Sequence, residues 1–283
     1  MRGLIGILAF AGYMFFVTPM VHAEPVLGLQ PLRYVEVIGK GERKRAFIDV
    51  TNPSMQPVDV QFTVQGFRQT DDSGTLSFYD DEKLTQGILL DYQDKQIPAK
   101  KTLRLFFVVD GTKLPSGDVF AAIFAQTKPV QAAKVPSVRV GSLLILTNGT
   151  PGAREASVEE FKLPLLHTGD SISGQIKIKN TAPASSASGF FPKITIRTWP
   201  FGPNATITGP LVYAGNTRTV LFNHASSQLG IYKISASYGE TSKGQWVILI
   251  TGIWRMILII GLVVIIIVVL GYKLQHKRRR NKS

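Results

Sequence analysis

No cysteine occurs in the 283 residues, and histidine is nearly as scarce, with four. The first absence excludes disulfides, thiol chemistry and the usual cysteine-bearing zinc sites. Exported eukaryotic domains of this size usually carry disulfides, so the chain reads as a bacterial surface protein whose domains rest on hydrophobic cores alone. His167 and His224 are the only histidines between the terminal segments. Two are too few for a histidine metal centre, and both read as exposed loop residues. Nucleophile and phosphate motifs are missing as well: no Gly-x-Ser-x-Gly elbow, Ser-x-x-Lys pair, His-Glu-x-x-His helix or Gly-x-x-x-x-Gly-Lys loop occurs. The expectation is a protein that is not an enzyme and holds no cofactor or metal.

Acidic residues are the minority, 19 against 32 Lys and Arg, a formal surplus of +13. Eight of those charges sit on Arg2, Arg255, Lys273, Lys277, Arg278, Arg279, Arg280 and Lys282, so the middle of the chain is only mildly basic. Such a surplus suits weak attraction to anionic polymers or lipid head groups, and no nucleic-acid partner is expected. Met256 to Tyr272 is an uncharged run of Ile, Leu, Val and Gly, at the short end of the roughly 17–25 residues that span a bilayer. It predicts a transmembrane helix over 254–272, with Trp246, Trp254 and Arg255 at the outer interface and the basic tail 273–283 in the cytoplasm. The other end agrees: Met1-Arg2-Gly3, the apolar Leu4 to Val17, and small residues at Val21 and Ala23 predict a signal peptide over 1–23. An N-terminal anchor is the alternative, disfavoured by the helix-breaking Thr18-Pro19. Either way the middle of the chain is exported, and with the signal peptide removed the expected location is the cell membrane, single-pass, with the N-terminal domains outside and the C-terminus cytoplasmic.

Between these ends the chain alternates with the period of a strand. Val58, Val60, Phe62 and Val64 alternate with polar residues, as do Ala46, Ile48 and Val50, and Leu103, Leu105, Phe107 and Val109. Val119 to Thr127 and Val138 to Thr147 supply further strands, and Asp71-Asp72-Ser73-Gly74 reads as a hairpin loop. Thr147 to Arg154, rich in Gly, Pro, Asn and Thr, marks a boundary. A second set follows in Ile172 to Asn180, Ile194 and Ile196, Thr217 to Phe222, Tyr232 to Tyr238 and Gln245 to Ile250, with Ala182 to Gly189 as a flexible loop. The expected fold is all-β: two immunoglobulin-like β-sandwich domains over 24–149 and 150–250, then the single transmembrane helix.

The order Pro31-Leu32-Arg33, Gly39-Lys40-Gly41, Ile48-Asp49-Val50-Thr51-Asn52-Pro53, Asp72-Ser73-Gly74, Ile97-Pro98-Ala99 and Leu114-Pro115-Ser116-Gly117 resembles the N-terminal domain of WxL-interacting proteins. Pilus chaperones are similar over the same stretch. The first resemblance implies a peptidoglycan-binding sandwich, a second sandwich binding a host or partner protein, a transmembrane helix and a short basic tail.

Two features remain as candidate sites. The acidic groups Asp71-Asp72 and Asp80-Asp81-Glu82 read as solvated turn carboxylates rather than a calcium loop, whose spacing they lack. Lys40, Arg43, Lys44 and Arg45, with Lys100, Lys101 and Arg104, read either as a charged strand edge that discourages strand addition or as a face for an anionic ligand. The sequons at Asn148-Gly149-Thr150 and Asn204-Ala205-Thr206 read as loop sequences. The expected function is a non-catalytic, membrane-anchored surface protein that binds or scaffolds at the cell wall, its partner a wall polymer or a wall-associated protein. A membrane-tethered assembly chaperone and a receptor or adhesin ectodomain are the alternatives.

Overall fold

The computed structural model describes residues 27–128, 137–169, 171–200, 202, 204–225, 230–250 and 253–280. The expected signal peptide falls outside them. The first half comprises β1 (Gly28–Gln30), β2 (Arg33–Ile38), β3 (Arg43–Thr51), β4 (Val58–Gln69), β5 (Leu76–Tyr79), a short helix α1 (Glu82–Gly87), β6 (Ile88–Leu90), β7 (Asp94–Ile97), β8 (Thr102–Asp110), β9 (Gly117–Thr127) and β10 (Arg139–Asn148). They form a four-stranded sheet, β1-β3-β8-β6, and a six-stranded sheet, β2-β10-β9-β4-β5 with β7 also on β4. The alternating residues of β3, β4 and β8 do what their period requires: Ile48, Val50, Val60, Phe62, Leu105 and Phe107 meet between the sheets and are buried.

The second half repeats the plan with β11 (Ala156–Lys162), β12 (Leu166–His167), β13 (Ser171–Asn180), β14 (Gly189–Phe190), β15 (Lys193–Trp199), β16 (Ala205–Thr208), β17 (Val212–Tyr213), β18 (Thr217–Ala225), β19 (Gly230–Tyr238) and β20 (Thr241–Leu249). A three-stranded sheet, β11-β13-β18, faces a five-stranded one, β12-β20-β19-β15-β16, over Ile176, Ile178, Ile194, Ile196, Ile234 and Val247. In each sandwich an early strand runs parallel to the last: β2 beside β10, and β12 beside β20. Both halves are immunoglobulin-like β-sandwiches, and α2 (Ile253–Arg280) follows. Its window Met256–Lys273 has a mean hydropathy of 2.8 and is long and apolar enough to cross a membrane; none of it is buried against the sandwiches.

Three buried asparagines staple strand ends to neighbouring loops. Asn52 Nδ2 donates to the carbonyls of Gln56, Ile97 and Pro98, Asn148 Nδ2 to those of Gly111, Leu114 and Pro115, and Asn180 Nδ2 to that of Val212. Asn148 therefore closes β10 from inside rather than sitting in a loop. The acidic groups are structural: Asp71 Oδ1 accepts from Gly74 N and Thr75 N, and Asp81 caps α1 through Lys83 N and Leu84 N. His167 corrects an expectation. It is a β12 residue, buried beside β20 because parallel pairing carries it under the sheet, and His224 is a residue of β18.

The two sandwiches are fastened together. Phe67, Ala122, Phe124 and Ile145, on the outer face of the six-stranded sheet, bury against Tyr213, with Phe120, Phe191 and Leu211 beside them. Phe120 and Tyr213 meet edge to face at 4.5 Å. At the connection, Arg154 pairs with the Asp118 carboxylate through both amino groups, Nη2 at 2.8 Å from Oδ1. Asp118 also accepts from Gly189 N and Thr147 Oγ1. The 182–189 segment is thus held rather than free: Ala187 O accepts from Asp118 N, and Ser188 is buried. A cavity of about 360 Å³ remains in this joint, reached by Gln69 Oε1, Ser186 Oγ and Tyr213 Oη, which have no protein partner. It has the size and polarity to hold ordered water.

Candidate functional site: a strand edge beside the domain joint

β2 is the terminal strand of the six-stranded sheet. It pairs with β10 from Arg33 against Leu143 to Ile38 against Asn148, and among the described residues nothing pairs with its other side. Leu32 O and Ile38 O accept from Leu143 N and Gly149 N. By the ladder's period of two, the amide and carbonyl groups of Arg33, Val35 and Val37 therefore point to the open side.

The side chains on this edge are unusual for one left free. Leu32, Val35 and Val37 are 66%, 55% and 63% exposed, whereas edge strands are ordinarily blunted by charge, proline or bulges. Val35 stands opposite Ile145 and Val37 opposite Thr147, so their row continues the sheet face that the second sandwich covers. Arg33 reaches across, its guanidinium 5.0 Å from the Phe191 ring. The other row is fixed. Tyr34 sets its ring edge-on to Phe107 at 5.7 Å and donates its hydroxyl to Glu36, which also holds Lys44 at 2.7 Å. Burial first, then Glu36, push the Tyr34 phenol up to about 12, and the Lys44 ammonium holds the Glu36 carboxyl below its usual range.

The seven cations do not make one patch. The antiparallel register of β3 and β8 puts Arg43 opposite Asp110 at one end of the ladder and Thr51 opposite Thr102 at the other. Lys40 and Arg43 thus lie at one end and Lys100 and Lys101 at the other, about 27 Å apart at the rise of a strand. Four of the seven are already matched: Arg43 with Asp110 at 2.8 Å, Lys44 with Glu36, Arg45 with Asp91 at 3.2 Å, and Arg104 with Asp49 at 2.9 Å. Arg45 and Arg104 also lie over the rings of Phe106 and Phe47, at 4.3 and 3.9 Å. Lys40, Lys100 and Lys101 form no ion pair among the described residues; Lys100 donates to Pro53 O. Among the described residues no group of three or more His, Cys, Asp or Glu is placed to hold a metal.

No family model matches the chain, and no curated protein does. Solved structures do match. A class 5 fimbriae chaperone, CfaA, superposes with a TM-score of 0.42 at 9% identity, covering 78% of this chain and 99% of that one. The Escherichia coli chaperone DraB gives 0.38 at 16%, covering 78% and 96%. The CsuC–CsuE chaperone and tip-subunit pre-assembly complex of Acinetobacter baumannii gives 0.39 at 13%, covering 80% and 99%. The likeness is one of fold. It agrees with the pilus-chaperone side of the sequence resemblance, while the WxL-interacting side finds no family match.

Proposed function

We propose that the chain is a membrane-tethered, non-catalytic adaptor or assembly chaperone that captures extended segments of exported proteins by adding them as a strand to β2. The observation that carries the reading is the open edge itself. Outward backbone groups at Arg33 and Val35 supply a ladder, which ends at Val37, where the carbonyl already accepts from Lys44 Nζ at 3.4 Å, and the exposed Val35–Val37 row supplies alternating apolar contact. The matched charges of β3 and β8 weigh against the wall-polymer face, because a guanidinium already held by a carboxylate has little left to offer an anion.

The tether follows from α2. The uncharged run Met256 to Tyr272, which touches neither sandwich, supports a place in lipid, and the basic residues from Lys273 onward orient the sandwiches outward. A pull-down from envelope extract with the full chain in detergent, run beside V35K/V37K, tests the site. Capture lost in the variant at an unchanged melting temperature supports strand addition; equal capture by both proteins overturns it.

A further inference from the structure

The outward face of the five-stranded sheet in the second sandwich is graded along its strands. Nearest α2, Leu166, Ile248 and Ile231 stand side by side across β12, β20 and β19. The next row is Trp246, Lys233 and Trp199 across β20, β19 and β15. The two indoles meet edge to face at 6.1 Å. Then come Gly244, Ser235 and Arg197, and beyond them Ser242, Ser237 and Thr195. The apolar members of the first two rows are exposed, Ile231 and Trp199 by more than 60%. Leu165, whose carbonyl accepts from Ile248 N, extends the patch and is exposed as well. The charged residues on these rows are both cations, Arg197 and Lys233.

An exposed patch of this size needs an occupant. The position of α2 identifies it. Ile250 N still bonds to His167 O, and α2 begins at Ile253, so the sheet's apolar end lies within about 14 Å of the helix start even with the link fully extended. We infer that this face lies on the bilayer: the Leu166–Ile248–Ile231 row and the two tryptophans enter the outer headgroup region, while Lys233 and Arg197 meet anionic lipid head groups. Tryptophan is enriched at that depth because its ring is apolar with one polar edge, and the gradient of the face, apolar toward the helix and polar away from it, matches the gradient of the interface. The inference rests on α2 spanning the membrane and adds that the second sandwich reclines on the bilayer rather than standing free of it.

The test uses the full chain carrying W254F, which leaves Trp199 and Trp246 as the only indoles of the three, reconstituted in phosphatidylcholine–phosphatidylglycerol vesicles. Flotation after carbonate washing first establishes that α2 is inserted; failure there removes the tether reading itself. With insertion established, lipids brominated just below the carbonyls should quench the emission of both indoles, as expected for rings at interface depth. W199F in the same background should remove part of that quenching, and I231S/I248S should weaken it at an unchanged circular dichroism spectrum. Inserted protein whose indoles are untouched by brominated lipid would overturn the inference, as would indoles shielded only when chains are dense enough to pair.

Discussion

Arg154→Ala tests whether the two sandwiches act as one body. Asp118 lies in β9 of the first sandwich with its side chain 1% exposed, while Arg154 belongs to the connection and keeps 36% of its surface. Removing the arginine leaves a buried carboxylate with Gly189 N and Thr147 Oγ1 but no cation, and takes away a donor to Gly189 O. Breaking a fully buried pair typically costs about 3–5 kcal/mol. The partial exposure of Arg154 places this one lower, at about 2–4 kcal/mol, which for sandwiches of this combined size lowers the melting temperature by about 4–16 °C. Scanning calorimetry of the full chain in detergent measures it, with D118N and the double variant completing a cycle. D118N alone leaves a half-exposed arginine that water can solvate, so it should cost less, and the double variant should fall short of the summed losses by at least about 1 kcal/mol. A loss below about 1 kcal/mol for R154A, or strict additivity, would refute the view that this pair locks the joint.

Asn148→Ala should destabilise the first sandwich by at least about 1–3 kcal/mol in a denaturant melt, since three carbonyls lose their donor; a neutral result would show that water replaces the amide. His167 is held below its ordinary 6.5 by burial. The unfolded chain therefore takes up a proton that the folded one refuses, so stability should drop as pH falls below about 6.5, and H167Q should remove that part of the slope. At lower pH the carboxylates take over. Asp71 is held down chiefly by Thr75 and Asp110 chiefly by Thr112, so their contribution is present above about pH 4 and lost as pH falls through their depressed values. Substituting Lys40, Lys100 and Lys101 by Ser should leave sedimentation with isolated cell wall unchanged at any salt concentration; a loss confined to low salt would support the anionic face instead.

The architecture was legible where alternation ran long. β4, β8 and β13 read directly as strands because an inward-facing row of apolar residues repeats every second position. The site was not, because period alone does not say which face is buried. In β2, Val35 and Val37 look like core and Tyr34 and Glu36 like surface, yet the pairing with β10 turns Tyr34 toward Phe107 and leaves the valines outside. In β9 the unbroken apolar run has no readable alternation because both faces are covered, one by the core and one by the second sandwich. The ion pairing of the basic clusters was hidden for a related reason: Asp110, Asp91 and Asp49, which match Arg43, Arg45 and Arg104, come to them through register and topology rather than through sequence proximity. At the end of the 182–189 segment a small residue is required by packing rather than by flexibility: a side chain on Gly189 would strike Phe120 at 2.4 Å.

The parallel pairing of β2 with β10 also decides how the protein bears tension. A pull applied along the chain first meets β1, held by β3, then enters at the start of β2 and leaves past Asn148, at the far end of the neighbouring strand. The six-residue ladder between them is then loaded in shear, all its hydrogen bonds resisting together, whereas a hairpin pulled from one end opens one bond at a time. Force carried along this edge is therefore met by the whole ladder at once rather than bond by bond.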